Sequence, residues 1–500
     1  MGLFWYSSDI MTGMPLQKQT MTKNTAMFLI SIAVQKTMTL VYFVIVANVF
    51  GPAEQGRYSA ALAFTTLFGV FVDIGTSAML TREAARRGNG IEALVKNMFF
   101  SRIILGCCVY AAMIGGAYAF HYPVELIQLI VIAGIAAVID TCSVASWSII
   151  RGFHNLSYEA FGGVLAIGVM VLVGGGAIAF RLPLDVLVYA VLLGSIANFS
   201  LALWVLSKKL RLSVSPSANW GVLRELFVLS LPFAGAAIFS RIYTYTDVTF
   251  LAKFSGEQAA GWYSAALKVI LALNLIPASV SASLYPTLSS HAAHEPQKVG
   301  TTFAKAFFLL ALIAFPIAAG MILLAPMIVS TFYNDKYLPT ILLLQLLSVS
   351  LVFGFLSFPL GALLAATNQQ KKNTIIFGIA AAISIIGNIV LIQRYGALGS
   401  AYTAIAVSCC IFLISVVVAF PYWKSEWKYL SVSGLKIVLS TIIMAGSVFL
   451  VRNAVPLATS ILIGIFVYAV WCMLLRIITK TDVSQLRNSF IKRGEISGDV

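Results

Sequence analysis

The chain has 500 residues, 60% of them hydrophobic and only 10% charged, with a mean hydropathy of +0.94. A soluble globular chain carries about 25% charged residues, so this composition excludes a soluble enzyme or binding module and points to a polytopic membrane protein. The formal net charge of +15 sits in short clusters such as "TREAARRGNG", "SKKLRL", "QQKKN" and "LRNSFIKRGE". These read as topology signals and contacts for anionic headgroups rather than as a nucleic-acid surface.

In chain order, the tail 1–25 comes first; it has Gly2 but Tyr6 where a myristoylation signal needs Ser or Thr. Fourteen apolar segments follow, read as transmembrane helices at approximately 26–50, 59–79, 99–120, 125–147, 160–180, 185–206, 227–252, 263–288, 303–324, 338–364, 374–392, 397–421, 432–451 and 458–477. The first is too long for a signal-peptide core and leads into "FGPAEQG" without a small-residue cleavage site. With the N-terminus inside, most of the 33 Lys and Arg fall on cytoplasmic segments, so both termini, including the tail 478–500, are expected in the cytoplasm. The six cysteines lie in apolar spans, where cysteine acts as a small hydrophobe. The four histidines, His121, His154, His291 and His294, are scattered over loops, and no metal site is expected.

The chain also repeats itself. "FGPAEQGRYSAALA" at 50–63 has a counterpart in "FSGEQAAGWYSAALK" at 254–268, each with a Gly two residues before "YSAAL", at an offset of 205 positions. Six spans separate the copies, so the halves are expected to enter the membrane with the same orientation, as in transporters built from parallel repeats. This gives an N-lobe at 26–206, a cytoplasmic linker at 207–226, a C-lobe at 227–421 and an appended helix pair at 432–477. The fold class is therefore an all-α polytopic membrane protein with two pseudo-symmetric six-helix lobes.

Charge inside hydrocarbon is costly, so intramembrane ionisable residues are functional candidates. Six are assigned to the spans: Lys36, Asp73, Asp140, Arg241, Asp247 and Lys268, on spans 1, 2, 4, 7 and 8, the other nine spans being read as uncharged. The 205-residue offset sets Arg241 opposite Lys36, both near mid-span, and two cations without an adjacent carboxylate suit an anion. Asp247 and Lys268 each lie five residues from the loop joining spans 7 and 8, at similar depth, and are expected to form a salt bridge. Arg241 and Asp247, six residues apart, differ by about 120° in azimuth and are not expected to pair. Asp73, Asp140 and Lys268 have packing roles as an alternative, and Tyr243 and Tyr245 are candidates for stacking on a sugar.

At "FGPAEQGRYSAAL", "FVDIGTSAMLTREAARR" and "GALLAATNQQKKNTIIFGIAAAISIIGNIVLIQRYGALGSAY" the chain resembles the polysaccharide-transport branch of the multidrug/oligosaccharidyl-lipid/polysaccharide flippase superfamily, which includes the O-antigen (Wzx-type) flippases. The resemblance covers about residues 25–420. It implies a V-shaped pair of bundles alternating between inward-open and outward-open forms, with a cavity lined by spans 1, 2, 7 and 8. The implied activity is movement of a polyprenyl-pyrophosphate-linked oligosaccharide to the outer leaflet of the bacterial inner membrane. The implied partners are that substrate, membrane lipids, and a polysaccharide polymerase with other assembly proteins. Carried over, the diphosphate meets Lys36 and Arg241, with Lys268 as a further substrate contact. Asp73 and Arg82 match the family's acid and base at the cytoplasmic end of span 2, as a gating or substrate contact; Asp140 and Asp247 are gating or ion-coupling candidates.

No G-x-x-x-x-G-K-[ST] phosphate loop occurs, so energy is expected from an ion gradient, no cofactor is expected, and an enzyme is disfavoured because the external loops are short and poor in acids. Two other readings stay open at this point: a flippase for another lipid-linked anion such as the peptidoglycan precursor, and a drug or cation antiporter on the same scaffold. The antiporter would want a net-negative cavity, whereas spans 1, 2, 7 and 8 hold three cations and two carboxylates.

Overall fold

A computed structural model of the chain describes residues 21–153 and 155–477. His154, the basic cluster "LRNSFIKRGE" and the tails up to residue 20 and from 478 onward lie outside the described residues. Every regular element among the described residues is helical, as hydrocarbon demands of a backbone with no water to bond. Eleven helical stretches are long and apolar enough to cross a bilayer, or twelve if one sharply bent pair counts as a single crossing. Two of them, Met27–Asp73 with 47 residues and Ala397–Val451 with 55, far exceed the roughly 20 residues of one crossing, and each contains a break.

The first helix, α1 (Met21–Asp73), takes in most of the first two expected spans. Its break is a single residue: Gly51 has φ 81° and ψ 177°, which a side chain would resist, and Pro52 restarts the helix with its φ already set. The second arm ends earlier than the expected 59–79, because Ile74 (φ 41°) and Gly75 (φ 74°) turn the chain at Asp73. Then comes α2 (Thr76–Arg87), a short helix with Met79, Leu80, Glu83 and Ala84 buried and basic residues in its last turn. The helices α3 (Glu92–Ala119), α4 (Val124–Gly152), α5 (Leu156–Ala179) and α6 (Asp185–Trp204) complete the first half.

The second half opens with α7 (Trp220–Phe254), bent by 61° between Leu231 and Phe233; Pro232, between them, has no backbone N–H to continue the ladder. Next, α8 (Gly256–Leu273) and α9 (Leu275–His294) meet at Asn274. They are followed by α10 (Val299–Phe332), α11 (Thr340–Ala366), α12 (Gln370–Tyr395), α13 (Ala397–Trp423), α14 (Trp427–Val451) and α15 (Leu457–Leu474).

In the first half α1 packs on α4 and α5, and α6 on both; in the second, α12 packs on α7 and α13, and α11 on α10 and α13. The halves meet where α1 crosses α7 and α8. At this crossing the repeated glycines face one another. A methyl on Gly56 would lie 1.7 Å from the Glu257 carbonyl oxygen and 2.6 Å from the Gly261 nitrogen, and one on Gly261 would lie 1.9 Å from the Pro52 carbonyl oxygen. Only glycine permits backbones this close.

Polar contacts surround the crossing at what is here named the Gly51 end. Arg57 donates to Glu257 at 2.9 Å, and Asn48 donates to the Phe332 carbonyl at 2.8 Å while accepting from the Asn334 amide at 2.9 Å. Tyr122 donates to the Thr249 carbonyl at 2.8 Å. At the opposite end, the Arg82 end, the halves touch through α2 and α3 against α7.

Candidate functional site

The three candidate cations are placed by helix phase. Lys36 on α1 and Arg241 on α7 are exposed, and Lys268 on α8 is half-buried. The Lys268 ammonium lies 5.4 Å from the centre of the Phe43 ring on α1, a cation–π contact. Phe43 follows Lys36 by seven residues, two turns along one face and about 10 Å of rise. The structure thus sets Lys268 of the second half against the first arm of α1, about two helical turns from Lys36. Arg241 instead lies over its own neighbour Tyr245, 5.7 Å from the ring centre, with Nη1 3.4 Å from the hydroxyl.

The expected Asp247–Lys268 salt bridge does not form. Asp247, buried, accepts from the Tyr263 hydroxyl at 2.6 Å and from Asn388 Nδ2 at 2.7 Å. Asn388 in turn accepts from Ser400 Oγ at 2.8 Å, so four helices, α7, α8, α12 and α13, share one polar network. The reason for the correction is azimuth. Tyr263 and Lys268 are five residues apart, about 140° around α8. When Tyr263 faces Asp247 inside the second half, Lys268 must face α1. Depth alone had suggested the pair. Arg241 and Asp247 face different partners, in keeping with their six-residue spacing.

Beside this network lies a cavity of about 390 Å³ within the second half, bordered by Tyr243, Asp247, Tyr263, Asn274, Ser350 and Ser408 among others. Tyr243 stacks on Phe377 at 5.9 Å and 15°, and Tyr245 is occupied by Arg241, so both tyrosines proposed for sugar stacking have protein partners. Asp140 on α4 is exposed and accepts a hydrogen bond from Ser195 on α6.

At the Arg82 end the reading of nine uncharged spans is corrected. Arg102 on α3 is 1% exposed and ion-pairs with Asp73, and its Nη2 also donates to Thr76 Oγ1 at 2.6 Å. Asp73 also accepts from Ser77 Oγ at 2.5 Å. This cluster closes over the Ile74–Gly75 break and ties it to α3. An acid inside a span demands a buried cation; that demand was the available signal for Arg102.

Arg82 is not the partner of Asp73. It pairs with Glu83 at 3.2 Å and lies 5.6 Å from the centre of the Phe233 ring on α7. Glu83, 1% exposed, also receives Arg86 at 3.4 Å and Arg87 at 2.9 Å, and Arg87 reaches Glu225 on α7 at 2.5 Å. Burial pushes the Glu83 carboxyl up. The Arg87 hydrogen bond and the three guanidinium charges outweigh it and hold its pKa below the ordinary value of 4.5. A methyl on Gly75 would meet the Ala234 nitrogen at 2.7 Å. The break after α1 therefore lies directly against the bend of α7, with charged groups on both sides.

Residues 45–342, more than half of the chain, match the family described as "Polysaccharide biosynthesis protein". The chain belongs to this family. The relatives of this family member include the "Probable low-salt glycan biosynthesis flippase Agl15" of Haloferax volcanii, 22% identical over 458 residues that cover 88% of the chain and 93% of the relative. They also include the "Capsular polysaccharide biosynthesis protein CapF" of Staphylococcus aureus, 21% identical over 413 residues that cover 79% and 98%. Among solved structures, the inward closed conformation of the lipid II flippase MurJ superposes with a TM-score of 0.72 at 17% identity, covering 89% of the chain and 98% of that structure. At that identity the likeness establishes the fold.

Proposed function

We propose that the chain is a flippase that carries a polyprenyl-pyrophosphate-linked oligosaccharide, an O-antigen or other surface-polysaccharide repeat unit, across the bacterial inner membrane by alternating access. The observation that carries this reading is the pair Lys36 and Lys268. These like charges, one from each half, lie about two helical turns apart along the face of α1 that meets α8, and among the described residues neither has a carboxylate partner. Like charges held together repel, so the arrangement suits an anion that bridges them. Arg241, one helix away, adds a third cation to the proposed diphosphate site. The family and the names of its relatives support a transporter of glycan precursors rather than an enzyme.

In this reading the over-long stretches Met27–Asp73 and Ala397–Val451 are each two crossings, fourteen in all, both termini are cytoplasmic, and helices 1–6 and 7–12 act as two lobes. The Gly51 end is then external and closed, and the Arg82 end is cytoplasmic. Lys and Arg enrichment at the Arg82 end supports the orientation. Asp247 carries the coupling ion, being, among the described residues, the buried carboxylate without a cationic partner; Asp73 and Arg82 belong to the cytoplasmic gate, and Asp140 lines the first lobe. A polymerase and other assembly proteins receive the product.

Deletion of the gene tests the reading. Surface polysaccharide should fall and lipid-linked oligosaccharide should accumulate on the cytoplasmic leaflet. Normal surface polysaccharide with no accumulated intermediate would overturn it.

A further inference from the structure

The helices α14 and α15 stand outside the duplicated part of the chain, packed on one another and on α10. Where α14 begins and α15 ends, at the Arg82 end, Lys428, Lys436, Arg476, Ser425, Ser433 and Tyr429 border a cavity of about 540 Å³. Among the described residues no carboxylate borders it. The nearest one in sequence, Glu426, is turned away to accept from Thr301 Oγ1 on α10 at 2.9 Å. None of the three cations has an ion pair among the described residues. On α14 the bordering residues recur every three or four positions over three turns, which places them on one face.

The surroundings point to the kind of ligand. Arg476, with φ 51°, is the left-handed cap of α15, the Ile477 amide donating to the Cys472 carbonyl at 2.9 Å, and this turn sets Arg476 at the border of the cavity. Beside the cavity, Trp427 and Tyr429 are exposed, as aromatics are at the membrane–water boundary. From the same level an exposed apolar track, Val432, Leu435, Leu439 and Ile442, runs along α14 toward the membrane interior.

We infer that this cavity is a binding site for an anionic phospholipid, the phosphate lying among Lys428, Lys436 and Arg476 and the acyl chains along the α14 track. A basic cavity at the interface, continuous with an apolar face, matches a charged head joined to long tails. The site lies apart from the central cations, and the inference does not depend on what the protein transports.

The test uses the full-length protein in detergent, with native mass spectrometry after addition of phosphatidylglycerol or, separately, zwitterionic phosphatidylethanolamine. Phosphatidylglycerol should be retained preferentially, and its dissociation constant should rise by about fivefold for each of Lys428→Gln, Lys436→Gln and Arg476→Gln, and by about a hundredfold for the triple variant. The exposed Arg224→Gln, beside Glu225 on α7 at the same end, should leave it unchanged. The single variants keep the test decisive if the triple variant fails to fold. Equal retention of both lipids, no loss in any variant, an equal loss in Arg224→Gln, or retention of undecaprenyl diphosphate with none of phosphatidylglycerol would each overturn the inference.

Discussion

Gly56 and Gly261 hold equivalent places in the two halves of the chain and lie in backbone contact, a methyl on Gly56 falling 2.6 Å from the Gly261 nitrogen. The repeated motif is thus also the surface on which the halves close. The contact is direct, and it is buttressed by Arg57 with Glu257 and by Asn48 with Asn334.

A bulky side chain at either glycine should therefore hold the Gly51 end apart. Gly56→Leu or Gly261→Leu should lower disulfide cross-linking between Asn48→Cys and Asn334→Cys by several-fold relative to the parent, and export should fall with it. Unchanged cross-linking would show that the two halves do not rely on this approach.

Asp73 and Arg102 should be stabilising as a pair and damaging when separated. Arg102→Ala leaves Asp73 without its buried cation, and breaking such a pair costs about 3–5 kcal/mol. Thermal unfolding in detergent should move down by several degrees for Arg102→Ala. The double change Asp73→Asn/Arg102→Ala should recover part of the loss, since no uncompensated charge remains. A double variant as unstable as the sum of both singles would contradict a coupled pair.

The anchoring of α2 should depend on pH through Glu83. Its folded pKa lies below 4.5, so its contribution is fully present above the unfolded pKa and declines as pH falls through the lowered folded value. Hydrogen exchange of the amides in 76–87, corrected for intrinsic rates, should be faster in Glu83→Gln than in the parent at pH 7. The two should converge as pH falls through that lowered folded value. A difference that persists at low pH would mean that the carboxylate charge is not what holds α2.

Much of this architecture was legible because hydrocarbon constrains composition. The spans, the duplicated motif and the candidate cations Lys36, Arg241 and Lys268 all stand out as departures from an apolar background. Direction around a helix was not legible from depth. Asp247 and Lys268 share a level, yet the 140° between Tyr263 and Lys268 sends one toward Asn388 and the other toward Phe43. Span bounds of 99–120 leave Arg102 three residues from the membrane surface, whereas α3 begins at Glu92 and holds Arg102 buried against Asp73. The break at Ile74–Gly75 had only one glycine to announce it, against the Gly-Pro pair at residues 51 and 52.

Asp247 separates packing from coupling. Asp247→Asn keeps an oxygen to accept from Asn388 Nδ2 and turns its NH2 to the Tyr263 hydroxyl, which can accept, but it cannot ionise, so the protein should unfold within a few degrees of the parent while transport stops responding to an imposed proton or sodium gradient. Asp247→Leu should also lose stability, about 1–3 kcal/mol for the stranded partners. A gradient response that survives Asp247→Asn would place coupling elsewhere.

The central claim is that cations at the meeting of the two halves hold the anionic head of a lipid-linked glycan. The most direct test is surface-glycan export in a deletion strain complemented with Lys36→Ala/Lys268→Ala, with the amount of membrane-inserted protein measured alongside. The account predicts that export is lost at normal protein levels, with lipid-linked oligosaccharide accumulating on the cytoplasmic leaflet. Full export by the double variant would contradict it.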